Sequence, residues 1–404
     1  MKRRRFLAAL LAAAVLCPLA ALAAGEKNVD NLPTGNLEGF ESSITWFGED
    51  FAYDITDEEA CWELLQRPIT VLDVSEKEVV YPRVSPNGEK VVNEWMGGSI
   101  NGSLAAVHVL GEDEDGWTLI EGMDYYDRII RGYVKTSLLK TVTPNNKYGI
   151  IIDKLTQRLY MFIDGKLWSS CAVSTGLPNK DQPYNETAAG EYLIGSWVGG
   201  FDSEGMYCEM GIRFNGGDLL HQVPYVEFAD GTKDFGKYGS QLGRKASHGC
   251  VRVTRTANDE GLCISWLWEN LKKNTKVVVW DDDGRTLPYP DDDLEVYYNP
   301  DGGTSYHATA TCRSVRDKYL PLTAFTYGEL DSGKYASLTG CTNCIPVKRR
   351  AEIDEINQER IDLGELLKNP VYTGGATTGG GAQADGSAAS DSPEASNGVT
   401  ITIR

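Results

Sequence analysis

The sequence predicts a mainly β protein that is divided into several small units. Three observations predict this fold class: short apolar runs alternate with turn residues, only one helix is convincing in the central part, and 404 residues are too many for one ordinary domain. Because 41% of the residues are hydrophobic, the chain can form sizeable cores. We expect a small barrel at 66–142, a β-rich unit with one helix at 147–282, and a small Cys/His module at 295–347.

The balance of charge excludes one class of partner. Asp and Glu number 58 against 39 Lys and Arg, which gives a net charge of −19. Residues 1–23 contain basic residues and no acidic one, so the rest of the chain is more acidic still. A surface of this sign repels the phosphates of nucleic acids and anionic lipid headgroups. We therefore expect no nucleic-acid partner.

The first 23 residues have the order of a secretory signal peptide. A basic start is followed by an apolar run from Phe6 to Ala23 that closes on Ala21-Leu22-Ala23, so cleavage is expected after Ala23. The alternative is an uncleaved membrane anchor, because about 18 apolar residues can just span a bilayer. After cleavage we expect no stable membrane insertion and a protein that acts outside the cytoplasm. Eight cysteines then remain, and in that compartment disulfides are their default state.

Local signals place strands and one helix in the unit at 147–282. Asp164-Gly165, between two apolar runs, is a strong β-hairpin signal. Thr256 and Asp259 form a capping-box pair ahead of apolar residues, which predicts the helix. Strands are expected at Ile150–Ile152, Arg158–Ile163, Ser170–Ser174, Glu191–Ile194 and Lys276–Trp280.

The other segments connect or follow these units. Residues 24–65 are acidic and predict a leader or linker. Residues 283–294, around the acidic runs Asp281–Asp283 and Asp291–Asp293, predict an acidic linker. Residues 348–367 predict a helix, since Ile353, Ile356, Leu363 and Leu367 share roughly one face. The Gly/Ser/Ala tail at 368–404 should be disordered because it has few apolar residues.

The unit at 66–142 resembles a bacterial SH3 domain. The resemblance rests on Val107–Leu110, then Gly116-Trp117, then Gly132-Tyr133-Val134, then Leu138-Leu139. It implies a module that binds cell-wall peptide or glycan, and the alternative is a spacer. His108, between valines on a strand, is expected to be structural.

The segment Lys245–Arg252 contains the most informative cysteine. Cys250 follows Ser247, His248 and Gly249, and His221 lies upstream. A cysteine nucleophile acts as a thiolate, and a neighbouring imidazole commonly generates it. A small polar residue and a glycine permit a tight turn whose backbone N–H groups can face an oxyanion. We expect His221, from another strand, to be the partner of Cys250. The alternative is a buried thiol or one half of a disulfide, as expected for Cys171, Cys208 and Cys263, which lack such neighbours.

At this point the sequence resembles the L,D-transpeptidase catalytic domain family. The pattern is an upstream His followed by Ser/Thr-His-Gly-Cys, an apolar residue, and Arg or Asn, found here as His221 and Ser247–Arg252. Further matches are Arg158–Tyr160, Asp164–Lys166, Val173–Gly176 and Thr187–Gly190. The interval of 26 residues between His221 and Ser247 is longer than usual in the family, so we interpret 222–246 as a longer flap.

The resemblance implies a cysteine acyltransferase that acts on peptidoglycan stem peptides and needs no cofactor for catalysis. Cys250 would form a thioester and His221 would be the general base, oriented by the backbone carbonyl of Gln222. The N–H groups of Gly249 and Cys250 would hold the oxyanion, assisted by His248, while Arg252 would brace the loop or meet a carboxylate. Resolution by an amine gives a 3→3 cross-link, and the protein would be associated with the cell wall. The alternatives are an L,D-carboxypeptidase, in which water resolves the thioester, and a catalytically inactive cell-wall-binding protein.

A second Cys/His set lies in the module at 295–347. His307, Cys312, Cys341 and Cys344 provide three sulfurs and one imidazole, a complete tetrahedral set for structural zinc. Three cysteines cannot all pair within the module, which favours a metal over disulfides. The alternative is a Cys341–Cys344 disulfide with Cys312 free or paired elsewhere. The sequence leaves the oligomeric state open.

Overall fold

The computed structural model describes residues 52–75, 78–91, 99–101, 105–112, 115–123, 129–179, 182, 185–203 and 205–368. The predicted signal peptide, most of the predicted leader and the tail from 369 lie outside these residues. The four helices of the described part are α1 (Glu58–Gln66), α2 (Gly236–Gly239), α3 (Ile264–Asn270) and α4 (Arg350–Lys368). No helix among the residues described has both the length and the apolar character that crossing a membrane requires.

The first unit is a five-stranded antiparallel sheet with a small hairpin beside it. Its strands are β1 (Ile69–Leu72), β2 (Val79–Val80), β3 (Ile100–Asn101), β4 (Ala106–Glu112), β5 (Trp117–Met123), β6 (Ile129–Lys135) and β7 (Leu139–Val142). The sheet order is β6-β5-β4-β1-β7, and β2 pairs with β3. Its core includes Leu72, Ile100 and Ile120. The apolar runs expected in this unit are therefore strands, and its likeness to a bacterial SH3 domain stays a prediction. His108 is half-buried on β4, 3.9 Å from the carboxylate of Glu121.

The central unit is a nine-stranded sheet that holds the candidate site. Its strands are β8 (Tyr148–Asp153), β9 (Arg158–Ile163), β10 (Lys166–Ser174), β11 (Gly190–Leu193), β12 (Trp197–Ser203), β13 (Met206–Arg213), β14 (Leu219–Gln222), β17 (Val251–Val253) and β18 (Lys276–Trp280). The order is β11-β18-β8-β9-β10-β17-β14-β13-β12. Only β8 with β18 and β14 with β17 pair in parallel among these described strands. The predicted hairpin is confirmed: Asp164 and Gly165 both have positive φ, which a two-residue turn of this kind requires.

Helix α1 corrects the expectation that 24–65 is only a leader. Asp57 caps the helix by accepting a hydrogen bond from the Ala60 N–H. Its apolar face, Cys61, Leu64 and Leu65, is buried against one face of the central sheet. A helix of nine residues with three buried positions is too short to be stable alone, so the sheet supplies the stability of this helix.

Two local predictions in the central unit are wrong in detail. Helix α3 begins at Ile264 with Cys263 at the N-cap, and no side chain caps it. Thr256 and Asp259 lie in the preceding loop, where the Asn258 side chain accepts from the Leu262 N–H instead. The flap also contains a short hairpin of β15 (Val226–Glu227) and β16 (Lys233–Asp234), followed by α2, so α3 is not the single helix of the unit.

The C-terminal module is a four-stranded sheet followed by α4. Its strands are β19 (Glu295–Tyr298), β20 (Ser305–His307), β21 (Thr323–Thr326) and β22 (Thr339–Gly340), in the order β21-β19-β20-β22. The predicted helix is present, and Ile353 and Ile356 are buried as their spacing indicates. The acidic run before the module is not all linker, because Asp281 and Asp282 are buried in the central unit.

Candidate active site

The parallel pair of β14 and β17 brings the two predicted site residues together. His221 pairs with Arg252, and Leu220 pairs with Val251. Residues that pair across a parallel ladder share a face, and alternate residues of one strand also share a face. His221 and Arg252 therefore share a face. Cys250 directly precedes β17, two residues before Arg252, so His221 and Cys250 lie close along the chain direction of this parallel pair.

His221 is buried, and its ring is held by the main chain. Its Nδ1 lies 2.6 Å from the carbonyl oxygen of Gln222, and its ring packs edge-on against Phe201 with centroids 5.3 Å apart. A carbonyl oxygen cannot donate, so Nδ1 carries the proton and the Nε2 lone pair is left to accept one. Burial is the main reason that the pKa of His221 is lowered to about 4; the bond to Gln222 opposes the shift and the nearby Arg252 contributes to it. The imidazole is neutral at neutral pH.

Cys250 is a free, half-buried thiol. Its sulfur packs with Phe201, Cys208 and Leu219. Burial first, and then the carboxylate of Asp218, raise the pKa of Cys250 well above its ordinary value. The resting pair is therefore a neutral thiol and a neutral imidazole. A proton must therefore leave the sulfur before it can act as a nucleophile.

A glycine is required at 249 for two reasons. Its φ is +120°, and a Cβ built there would lie 2.7 Å from Oδ1 of Asp218. The hydroxyl of Ser247 closes the turn by donating to the carbonyl of Cys250. The Gly249 N–H points toward Ser247 Oγ at 3.4 Å. The N–H of Gly249 is thus engaged inside the turn, where we had expected an oxyanion donor.

Thr187 fixes the next peptide of the turn. Its hydroxyl donates to the Gly249 carbonyl at 2.6 Å and accepts from the Gly176 N–H at 2.8 Å. In a trans peptide the N–H points opposite to the C=O. Because the Gly249 carbonyl is held inward by Thr187, the N–H of Cys250 points the other way, beside its own sulfur. That N–H is the oxyanion donor the geometry favours.

Two other predicted residues have different environments. Arg252 is buried, donates to Oε1 of Gln241 at 2.7 Å, and lies over the Tyr238 ring at 5.5 Å. Both partners belong to the flap, so Arg252 braces that loop. His248 is exposed at the surface of the turn, where a substrate can touch it.

Asp218 is a site residue that the sequence did not indicate. It lies in the turn between β13 and β14, is 8% exposed, and packs against Gly249. Burial raises the pKa of Asp218 to about 7, and Glu186 raises it further, while Asn215 and Arg213 oppose the shift. An aspartate after two glycines is ordinary turn chemistry, so only the fold reveals that it faces the thiol.

A buried cluster of charges supports the turn from behind. Lys245 Nζ lies 2.9 Å from Glu186 and 2.9 Å from Asp282, and Lys154 Nζ lies 2.6 Å from Glu186. Arg360, from helix α4, lies 2.6 Å from Asp282. Burial alone would raise the pKa of Asp282, but Lys245, Lys154 and Arg360 together hold it below the ordinary value. Lys245 is two residues before Ser247, so the cluster fixes the start of the turn.

The second Cys/His set also converges. The ligand atoms of His307, Cys312, Cys341 and Cys344 all lie within 4.8 Å of one another. All eight cysteines in the described part of the chain are free thiols. Cys171, Cys208 and Cys263 are buried core thiols.

Fold and site together define a class of protein: a mixed β-sheet with a histidine on one strand and, directly before the parallel strand beside it, a cysteine that follows a glycine-containing turn. The comparison with protein families then identifies the central unit. Residues 147–279 match the L,D-transpeptidase catalytic domain, a family that acts on peptidoglycan. No curated protein matches the chain.

Solved structures give similar proteins at low identity. One is a fused Zn-dependent amidase/peptidase/peptidoglycan-binding domain-containing protein from Clostridium acetobutylicum, 18% identical, with a TM-score of 0.23 over 34% of this chain and 55% of that one. An L,D-transpeptidase from Mycobacterium smegmatis is 12% identical, with a TM-score of 0.26 over 43% of this chain and 82% of that one. An L,D-transpeptidase from Xylanimonas cellulosilytica is 20% identical, with a TM-score of 0.24 over 34% of this chain and 61% of that one. The chain thus spans about half the length of the first of these proteins. Likeness at these scores carries no argument about this chain.

Proposed function

We propose that the chain is an exported cysteine L,D-transpeptidase that forms 3→3 cross-links in peptidoglycan through a thioester at Cys250. One observation carries the proposal: His221 pairs with Arg252 on the strand that Cys250 directly precedes, and its Nδ1 donates to the Gln222 carbonyl. This arrangement leaves Nε2 to accept the thiol proton. The match of 147–279 to the L,D-transpeptidase catalytic domain supports the same chemistry.

The first half of the reaction cleaves a donor stem. As the Cys250 sulfur attacks the carbonyl carbon of the L-centred third residue of a tetrapeptide, the thiol proton passes to Nε2 of His221. The tetrahedral oxygen faces the N–H of Cys250, which the Thr187–Gly249 bond directs outward. The amide bond to the terminal D-alanine then breaks, and His221 returns the proton to the leaving amine. A thioester remains on Cys250.

The second half joins the acyl group to a neighbouring stem. A side-chain amine of that stem attacks the thioester carbon and loses its proton to His221. The carbon–sulfur bond then breaks, the thiol regains the proton, and a new amide is the cross-link. If water attacks instead, the same intermediate gives an L,D-carboxypeptidase.

The other segments fit an exported wall enzyme. A signal peptide at 1–23 would direct the chain across the membrane, and a bacterial SH3-like unit at 66–142 would hold it against the wall. The strongly negative charge also favours a substrate other than nucleic acid. No cofactor is needed for the two acyl transfers.

The test is intact-mass spectrometry of the secreted form of the full chain with a purified tetrapeptide muropeptide. We expect a tripeptide-stem adduct on wild type and cross-linked dimers in solution. Cys250→Ala should give neither. Cys263→Ser is a matched control, because serine suits the N-cap that Cys263 occupies. A Cys250→Ala variant that still forms dimers would refute the mechanism.

Product analysis separates the alternatives. Tripeptide stems without dimers would indicate the carboxypeptidase. Absence of any adduct with the muropeptide and with a carbapenem, which L,D-transpeptidases accept as a donor mimic, would indicate an inactive wall-binding protein if the chain still co-sediments with peptidoglycan.

A further inference from the structure

The four side chains His307, Cys312, Cys341 and Cys344 come from three separate places in the C-terminal module. His307 ends β20, Cys312 lies in the loop that follows it, and the other two follow β22. Their ligand atoms nevertheless lie within 4.8 Å of one another. We propose that they bind one Zn²⁺ ion in a closed, tetrahedral structural site.

The distances fit a single ion. Cys312 Sγ lies 3.9 Å from Cys341 Sγ, and Cys344 Sγ lies 3.7 Å from Nδ1 of His307. Zinc bonds of about 2.3 Å to sulfur and about 2.0 Å to nitrogen put tetrahedral ligands about 3.8 Å apart for two sulfurs and about 3.5 Å apart for sulfur and nitrogen. A disulfide would bring two sulfurs to about 2.0 Å. The observed spacing therefore suits ligands around a shared centre.

The sulfurs also have the partners that metal thiolates need. The Ala308 N–H donates to Cys344 Sγ at 3.3 Å, and the Asn343 N–H donates to Cys341 Sγ at 3.4 Å. The Asn343 side-chain amide reaches Cys312 Sγ at 3.6 Å. Donors directed at sulfur stabilise negative charge on it and fix its orientation toward a cation. Three thiolates without a cation between them would repel one another.

The site is closed, which favours a structural role over a catalytic one. Cys312 is fully buried, and His307 and Cys341 are 5% and 7% exposed. Four protein ligands complete a zinc tetrahedron and leave no position for water or substrate. The ion would therefore hold the module together and take no part in the reaction at Cys250.

The ion would connect parts of the module that its small core does not fix alone. The core has seven buried residues, grouped around Tyr306 and Tyr327, and a module of about 50 residues rarely folds without a staple. Zinc would lock the end of β20 to the chain after β22. It would also fix the residue after Cys312: Arg313 donates to the Asp259 carbonyl of the central unit at 2.7 Å.

The experiment measures zinc in the secreted form of the full chain, purified without chelator and dialysed against metal-free buffer. Elemental analysis should give one zinc per chain for wild type and about one-tenth or less for Cys341→Ser. Cys263→Ser, which changes a buried cysteine outside the set, should retain one zinc. Cobalt exchanged into wild type should give the thiolate-to-metal charge-transfer band, and Cys341→Ser should lack it.

A second measurement keeps the proposal testable if Cys341→Ser does not fold. Adding a strong chelator to wild type should lower its melting temperature, and Zn²⁺ alone should restore it. Wild type without zinc and with a mass about 2 Da lower for each disulfide would overturn the proposal in favour of a bridge. Full zinc content in both Cys341→Ser and His307→Gln would overturn the assignment of these ligands.

Discussion

The chain contains two places where a histidine lies beside cysteine sulfur, and they differ in what surrounds the sulfur. Cys250 has a single sulfur, it directly precedes the strand that pairs with His221, and a buried carboxylate lies beside it. In the module three sulfurs and one imidazole converge, and backbone N–H groups point at the sulfurs. The first environment suits a thiol that gives up its proton only during attack. The second suits permanent thiolates around a cation.

The two sets of sulfurs also differ in how accessible they are to a substrate. Cys250 is half-buried at the end of a strand in the large sheet, so one side of its sulfur is open to a substrate. Cys312 and Cys341 are buried in loops. The same residue types therefore serve two purposes, and access together with the number of converging sulfurs decides which.

The largest effect on activity should come from replacing one of the two histidines, His221, with glutamine. His221→Gln should lower the rate of Cys250 acylation by about 10³, because it removes the imidazole that accepts the thiol proton. Its zinc content should stay at the wild-type value. Intact-mass kinetics with a carbapenem measure the rate, and elemental analysis measures the metal.

His307→Gln is the matched exchange at the other set. It should lower zinc content and leave acylation at 25 °C within about twofold of wild type, since His307 does not touch the reacting atoms. If both variants lost acylation equally, the division of the chain into a catalytic and a structural Cys/His set would be wrong.

The buried charges behind the turn should have the next largest effect. Lys245→Met should lower the free energy of unfolding by about 3 kcal/mol, because it removes one of the buried cations that neutralise Glu186 and Asp282 and leaves the cluster with an excess of buried negative charge. Urea denaturation followed by tryptophan fluorescence measures this. Lys166→Met, which removes an exposed pair with Glu58, should lower the free energy of unfolding far less than Lys245→Met does, because water screens exposed charges. Equal losses would show that the cluster does not support the turn.

A smaller effect should follow from Thr187. Thr187→Val removes the hydroxyl that holds the Gly249 carbonyl and should lower kcat about tenfold with KM unchanged, because only the oxyanion donor is misdirected. Thr187→Ser keeps the hydroxyl and should retain most of the activity. Steady-state kinetics on a tetrapeptide substrate measure both variants. If Thr187→Ser lost as much kcat as Thr187→Val, the hydroxyl of Thr187 would not have this role.

The smallest effect should come from Asp218 and should depend on pH. Above its pKa of about 7 the ionised carboxylate opposes formation of the Cys250 thiolate, and below it the neutral acid resembles asparagine. Asp218→Asn should therefore be alkylated by iodoacetamide a few-fold faster than wild type above neutral pH, and at the same rate below about pH 6. If the ratio of the alkylation rates of Asp218→Asn and wild type stayed constant across the pH range, Asp218 and Cys250 would not be directly coupled.

Features that depend on neighbours in sequence were predictable. The Asp164-Gly165 hairpin, the strand Lys276–Trp280 and the helix after residue 348 follow from local turn chemistry and apolar spacing. The contact of His221 with the Gln222 carbonyl is present as the family resemblance implies.

Features that depend on distant partners were not predictable. Helix α1 is stabilised by a sheet formed about 100 residues later, and Asp281 and Asp282 become buried only because cations from elsewhere neutralise them. The engagement of the Gly249 N–H by Ser247 depends on the exact path of one turn. Nothing in the order of residue types specifies such a path.

Arg360 has a consequence for which fragments of this protein can fold. The segment that matches the catalytic family stops at 279. Asp281 and Asp282, which follow it directly, neutralise buried lysines of that segment, and Arg360 from α4 in turn neutralises Asp282. A fragment trimmed to the family boundaries would expose unmatched charge and the apolar floor that α1 covers. The smallest piece that should fold on its own therefore runs from before Asp57 to beyond Arg360.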